Sequence, residues 1–285
     1  MIYPDTIRRV GIITPAGRLA PELVESGIAV LRKEGIKVDS PAPLPECKVA
    51  YLAGTPEDRA EQIENLWLDP EIDLLLCSRG GFGCAQLLVL LNWKKLARRN
   101  IPLAGYSDIT ALHWGMASKR AGLPVVSPML GKLSSIDEKT RSTICGAFTG
   151  TERTASVNLI SGEAFSGKIL AGNLTVAASL AGGDYVPDSR DKVILLEDIN
   201  EPVYKIDRCL TQLEQSGFFD QVQGVVFGSF SGSDPRELEE LFIRFARRTG
   251  KPVASGFPFG HNLPLVSFSF EDTITITGNK AIIKR

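Results

Sequence analysis

The sequence predicts an α/β protein in two parts: an N-terminal parallel sheet wound with helices on both faces, then a smaller, β-rich α+β domain. Three observations predict it. Strand and helix signals alternate through the first 150 residues, the pattern of a parallel sheet joined by helical crossovers. Residues 72–77 form an almost unbroken apolar run, as a strand covered on both faces requires. Near residue 150 the pattern changes, and residues 151–167 are rich in serine, threonine and glycine with no helical period. This places domains at 1–150 and 168–285, with a linker at 151–167.

The elements follow in order. Residues 9–14 are a short β-branched run ending at Pro15-Ala16-Gly17. Residues 22–34 carry Leu23, Ile28, Val30 and Leu31 at helical spacing, and Gly35 is placed to end that helix. A second strand starts at Lys37-Val38. Residues 56–67 read as a helix with Pro56 near its first position and acidic residues in its first turn. After the strand at 72–77 comes the turn Arg79-Gly80-Gly81-Phe82-Gly83, then a helix from Cys84 to about Leu91. Residues 102–106 give another strand and 108–120 another helix. In the second part, strands are expected at 168–171, 192–196 and 224–227. Helices are expected at 174–180, 206–216 and 236–249. Residues 273–276 and 280–283 flank Gly278-Asn279 as a closing hairpin.

Composition excludes several classes of function. The 285 residues hold 32 lysines and arginines against 33 aspartates and glutamates, a net charge of -1. A nucleic-acid binder needs a basic excess to neutralise phosphates, so no nucleic-acid partner is expected. No apolar run approaches the roughly 18 residues that a membrane span needs, and the N-terminus lacks the pattern of a signal peptide. The expectation is a cytoplasmic protein with no membrane partner. The five cysteines (Cys47, Cys77, Cys84, Cys145, Cys209) form no C-x-x-C pair, which fits reduced thiols. With only two histidines, His113 and His261, a histidine–cysteine zinc site is poorly supplied, and neither metal nor cofactor is expected.

In a sheet of this kind, sites lie beyond the carboxyl ends of the strands. Ser107, in Gly105-Tyr106-Ser107-Asp108-Ile109, sits at such a strand–helix corner. There its hydroxyl projects from the sheet, and the helix behind it offers N–H groups to a developing oxyanion. Ile109 replaces the second glycine of the G-x-S-x-G elbow, and a serine here also suits a plain N-cap. The glycine turn after residue 77 lacks both G-x-G-x-x-G spacing and a following lysine, so it reads as a tight turn or as a source of backbone N–H groups. His113, six residues past Ser107 on the same helix, would lie about 9 Å further along, beyond hydrogen-bond reach. His261, in the loop Gly256-Phe257-Pro258-Phe259-Gly260-His261, is free to reach another domain. A base of this kind needs an orienting carboxylate. The apolar strand at 192–196 ends in Glu197-Asp198, where Glu197 is the better candidate and Asp198 its rival.

At these residues the chain resembles the LD-carboxypeptidase (muramoyltetrapeptide carboxypeptidase) family of serine peptidases, which also includes the microcin self-immunity peptidases. The resemblance runs through Arg79–Gly83, Gly105–Leu112, Gly172-Asn173-Leu174, Leu195–Asp198, Tyr204–Arg208 and Gly256–His261. It implies a Rossmann- or flavodoxin-like N-terminal domain, a catalytic set of Ser107, Glu197 and His261, and an oxyanion hole from the N–H groups of Asp108 and of a glycine in the turn, Gly81. It further implies a small peptide substrate, the murein tetrapeptide, from which terminal D-alanine is released during peptidoglycan recycling, and a homodimer. Val126-Ser127-Pro128-Met129 departs from the histidine-glycine-proline that relatives often carry there. Two neighbouring readings are a peptidase that cleaves a peptidyl-nucleotide and a non-catalytic murein-peptide binder. A nucleotide-dependent oxidoreductase lacks its glycine fingerprint.

Overall fold

The computed structural model describes residues 2–40, 44, 45 and 47–285. Two sheets, one per half of the chain, meet along a common apolar core. The first half runs β1 (Arg9–Ile13), α1 (Pro21–Lys33), β2 (Lys37–Asp39), α2 (Pro56–Leu68), β3 (Leu74–Cys77), α3 (Cys84–Leu87), α4 (Trp93–Leu96), β4 (Pro102–Gly105), α5 (Thr110–Lys119), β5 (Leu123–Val126) and α6 (Glu138–Thr149). The second half runs β6 (Arg153–Ser156), β7 (Asn158–Ser161), β8 (Phe165–Asn173), α7 (Leu174–Leu180), β9 (Lys192–Ile199), α8 (Val203–Gln215), β10 (Gly224–Ser231), α9 (Pro235–Thr249), β11 (Val253–Ser255), β12 (Phe268–Ser269), β13 (Thr273–Thr277) and β14 (Lys280–Lys284).

The first sheet has the order β12-β5-β4-β3-β1-β2. Its five N-terminal strands are parallel, as the alternating pattern predicts, and β3 is buried throughout. The second sheet, β6-β14-β13-β8-β9-β10-β11-β7, is parallel at its centre and antiparallel toward its edges. The closing hairpin forms as read, with Gly278 at φ 53° in its turn.

Two features depart from the sequence reading. The expected linker at 151–167 is built into the second sheet, where β6 pairs with β14 and β7 with β11. Both are edge strands with few fully buried residues, so their serine- and threonine-rich sequence carries little of the alternation that marks a strand. The second half also gives a strand back to the first sheet: Phe268 and Ser269 of β12 pair antiparallel with Val126 and Val125. Beside that crossing, Asp272 is fully buried and pairs with Arg153 at 2.9 Å.

A single apolar cluster runs through the junction, joining Tyr106, Leu112, Met116 and Met129 of the first half to Ile169, Ala171, Phe257, Phe259 and Phe268 of the second. Burial of this much apolar surface holds the two halves in one arrangement, at roughly 25 cal/mol for each Å² removed from water. The ends of β4 and β9 and the loop after β11 are thereby fixed to one another.

Candidate active site

Ser107 follows β4 directly, at the start of the 3₁₀ turn Ser107–Ile109 that leads into α5. Its φ is +65°, a left-handed conformation that costs an L-residue about 1–2 kcal/mol. Strain of that kind persists where the surroundings impose it and is concentrated at functional sites. The hydroxyl lies 3.1 Å from His261 Nε2.

His261 Nδ1 lies 2.8 Å from Glu197 Oε2. Hydroxyl, imidazole and carboxylate are thus in hydrogen-bonded series across the two halves. The order Ser–His–carboxylate can draw a proton off the hydroxyl and leave the resulting imidazolium beside a negative charge. Glu197 lies within β9 and is fully buried. Burial raises its pKa, while the bond to His261 and a bond from Asn173 pull it down. His261 is positioned by backbone and by packing. Gly260 has φ +134°, and a Cβ there would stand 3.0 Å from Glu197 Oε2, so only glycine lets the loop come this close. The imidazole meets the Tyr106 ring edge-on at 5.2 Å. Burial, aided by the charge of Glu197, pushes the Tyr106 phenol up to about 12, so it stays protonated.

The rival carboxylate, Asp198, points elsewhere. It accepts from the Thr175 N–H at 2.9 Å, the Thr175 hydroxyl at 2.7 Å and the Asn173 amide at 2.9 Å. His113 is a core histidine: Nε2 faces the Leu103 carbonyl at 3.1 Å, and burial pushes its pKa down to about 4.

The glycine turn closes over the serine. A Cβ on Gly80 would stand 3.1 Å from Ser107 Cβ, 3.2 Å from Oγ and 3.5 Å from the Asp108 nitrogen, so any side chain there would press on the serine. Gly81 follows with φ +126° and faces Gly17. Asp108 fixes this approach with its side chain, which accepts from the Cys84 N–H at 2.9 Å at the start of α3. Arg59, fully buried, adds a second clamp by donating to the carbonyls of Pro15, Gly54 and Gly83 and to Gln86 Oε1.

Sequence reasoning missed the roles of Asn173, Arg59 and Tyr106. Asn173 had a signal, since it caps α7 through Val176 N–H and stands between two strand-end carboxylates. Arg59 had none, because an arginine on an amphipathic helix ordinarily faces water. Among the described residues, no group of three or more histidine, cysteine, aspartate or glutamate side chains is arranged to hold a metal ion. Nor is any helix long and apolar enough to cross a membrane.

Fold and site together define a two-domain α/β protein with a serine–histidine–glutamate array at the domain junction. Residues 10–127 match the LD-carboxypeptidase N-terminal domain and residues 166–276 the LD-carboxypeptidase C-terminal domain, and the chain belongs to the LD-carboxypeptidase family. It is 31% identical over 293 residues to the murein tetrapeptide carboxypeptidase of Pseudomonas aeruginosa, covering 95% of this chain and 94% of that one. The crystal structure of muramoyltetrapeptide carboxypeptidase from Oxalobacter formigenes superposes with a TM-score of 0.87 at 24% identity, over 97% of this chain and 99% of that one. The microcin C7 self immunity protein MccF, in complex with glutamyl sulfamoyl guanosine, gives 0.88 at 18% identity over 99% and 97%. At those identities the two structures establish the shared fold.

Proposed function

We propose that the protein is a serine LD-carboxypeptidase that removes terminal D-alanine from murein tetrapeptides during peptidoglycan recycling. The observation that carries this reading is the unbroken series Ser107–His261–Glu197, with Ser107 held at positive φ. His261 takes the Ser107 proton as Oγ attacks the carbonyl carbon of the L,D amide. Glu197 holds the imidazole in orientation and stabilises its charged form. The N–H groups of Asp108 and Gly81 receive the oxyanion, which the closeness of Gly80 to both Ser107 and Asp108 supports. His261 then returns the proton to the departing amine of D-alanine, and water releases the acyl group by the same steps in reverse. The setting we infer is the cytoplasm, with the chain as a homodimer. The substrate class comes from the murein tetrapeptide carboxypeptidase relative.

The test is release of alanine from tetrapeptides ending in D- or L-alanine, each with and without a chelator. Cleavage of the D-form alone, unaffected by chelator, is expected. Loss of activity in chelator would replace the serine mechanism by metal-activated water.

One observation favours the peptidyl-nucleotide reading. Tyr51 and Phe82, both more than half exposed, meet edge-on at 5.7 Å beside the glycine turn, where they could stack on a base. The tryptophans offer no such surface, since Trp67 and Trp114 are buried and Trp93 packs on Tyr185. Cleavage of an aminoacyl sulfamoyl nucleoside in preference to the tetrapeptide would establish this second reading.

A further inference from the structure

A carboxypeptidase must recognise the free carboxylate of its substrate, and the array of Ser107, His261 and Glu197 supplies no permanent cation for it. From the cleft beside His261 we infer that Lys132 is the residue that binds the substrate's terminal carboxylate and so makes the site specific for a chain end. This rests on the proposed carboxypeptidase reading and adds the determinant of its exopeptidase character.

The leaving residue has to lie on the side of His261, because that imidazole protonates the departing amine. A small cleft opens there, with a volume of about 50 Å³, and its walls include Tyr106, His261, Leu263, Leu265 and Lys132. No aspartate or glutamate lines it, and Lys132 is the one lysine or arginine that does. Among the described residues its ammonium has no carboxylate within ion-pairing distance. Arg79, the nearest rival, lies on the oxyanion side, where Nε donates to the Gly80 carbonyl at 3.1 Å.

The backbone under Lys132 is firmly held. It belongs to the 3₁₀ segment Leu130–Ser135, whose Leu130 and Leu133 are fully buried. Leu130 packs so closely on α1 that a Cβ on Gly27 would stand 2.5 Å from its carbonyl oxygen. The Gly131 N–H donates to the Ser78 carbonyl at 3.1 Å, tying this segment to the strand that leads into the glycine turn. A fixed backbone carrying an exposed lysine on the wall of an acid-free cleft suits a carboxylate that arrives from solvent. The cleft's size suits a small terminal residue.

The test compares a tetrapeptide acid with its C-terminal amide, both ending in D-alanine. Calorimetry measures their binding to Ser107→Ala and to Ser107→Ala/Lys132→Met, and steady-state kinetics measure the acid on the parent and on Lys132→Met and Lys132→Arg. The acid should bind Ser107→Ala roughly ten- to a hundredfold more tightly than the amide, as charge-assisted recognition gives, and Lys132→Met should erase that preference. In kinetics Lys132→Met should raise KM with kcat largely kept, and Lys132→Arg should restore part of the loss. The inference is overturned if Ser107→Ala shows no acid preference, or if the preference survives Lys132→Met. A parent that binds the acid selectively through Lys132 yet releases no alanine would refute the proposed reaction while leaving the carboxylate site standing.

Discussion

The side-chain amide of Asn173 donates to both strand-end carboxylates at once, to Glu197 Oε1 at 3.2 Å and to Asp198 Oδ1 at 2.9 Å. Adjacent residues of a strand ordinarily point to opposite faces, and here one donor at the end of the neighbouring strand meets both. Asp198 is further held by Thr175 and by the Ile199 N–H. Glu197 is therefore left with His261 as its other partner, which is the division of labour that the sequence alone could not assign.

Asn173 should accordingly matter to the charge on Glu197. Burial raises the pKa of Glu197, and the Asn173 amide is one of the groups opposing that rise. Asn173→Ala and Asn173→Ser both remove the donor. The Glu197 carboxylate then takes up a proton at higher pH and ceases to support the base, so the acid limb of the kcat/KM profile moves upward. A loss of about tenfold at neutral pH is expected. Serine preserves a cap for α7 and alanine does not, a difference of about 1 kcal/mol in stability. Equal pH profiles in parent and variants would refute the role.

The strain at Ser107 predicts an inversion of ordinary propensities. Ser107→Ala and Ser107→Gly both delete the nucleophile and should lower kcat by about 10⁴ or more. Glycine normally costs stability relative to alanine, yet at φ +65° it relieves a conformation that alanine cannot adopt freely. Ser107→Gly should be the more stable variant by about 1 kcal/mol in urea melts. A more stable alanine variant would mean that the positive φ is absent from the folded protein in solution.

Arg59 predicts the opposite coupling, stability lost together with activity. Its guanidinium has backbone carbonyls and Gln86 as partners, so Arg59→Met strands the carbonyls of Pro15 and Gly54 in a buried place and leaves that of Gly83 with the Gln86 N–H alone. The cost should be about 3 kcal/mol. Gly83 closes the glycine turn, so kcat should fall more than KM rises. Retained kcat in a destabilised variant would restrict Arg59 to a structural clamp.

How far these features were legible depends on the range over which they act. The parallel sheet showed because apolar runs such as Leu74–Cys77 and the helical spacing in α1 are local. The edge strands β6 and β7 did not, since half-solvated strands lose the alternation that marks them. The return of β12 to the first sheet is two residues long and carries no pattern at all. At the site, Ser107 was visible at its strand–helix corner and His113 could be set aside by helical spacing. The choice of Glu197 over Asp198 depends on Asn173 and Thr175, which lie on another strand and helix and are brought near only by folding.

The two histidines make the last prediction, because burial separates them. His113 is fully enclosed, with Nε2–H donating to the Leu103 carbonyl, and its pKa is pushed from 6.5 to about 4. It is therefore neutral in the folded protein, while the unfolded chain takes up a proton below about pH 6.5. Proton uptake by the unfolded state alone lowers stability as pH falls from about 6.5 to about 4, and this residue contributes about 3 kcal/mol across that window. His113→Gln keeps a donor for Leu103 and removes the titration, so its stability should fall less steeply than the parent's in urea melts between pH 7 and 4. Its activity should stay within a few-fold of the parent, since the residue faces the core. His261→Gln should do the reverse, losing about 10⁴ in kcat while keeping the parent's steep acid limb of stability. An active His261→Gln would overturn the assignment of the base, and an unchanged acid slope in His113→Gln would show that His113 is solvated in the folded state.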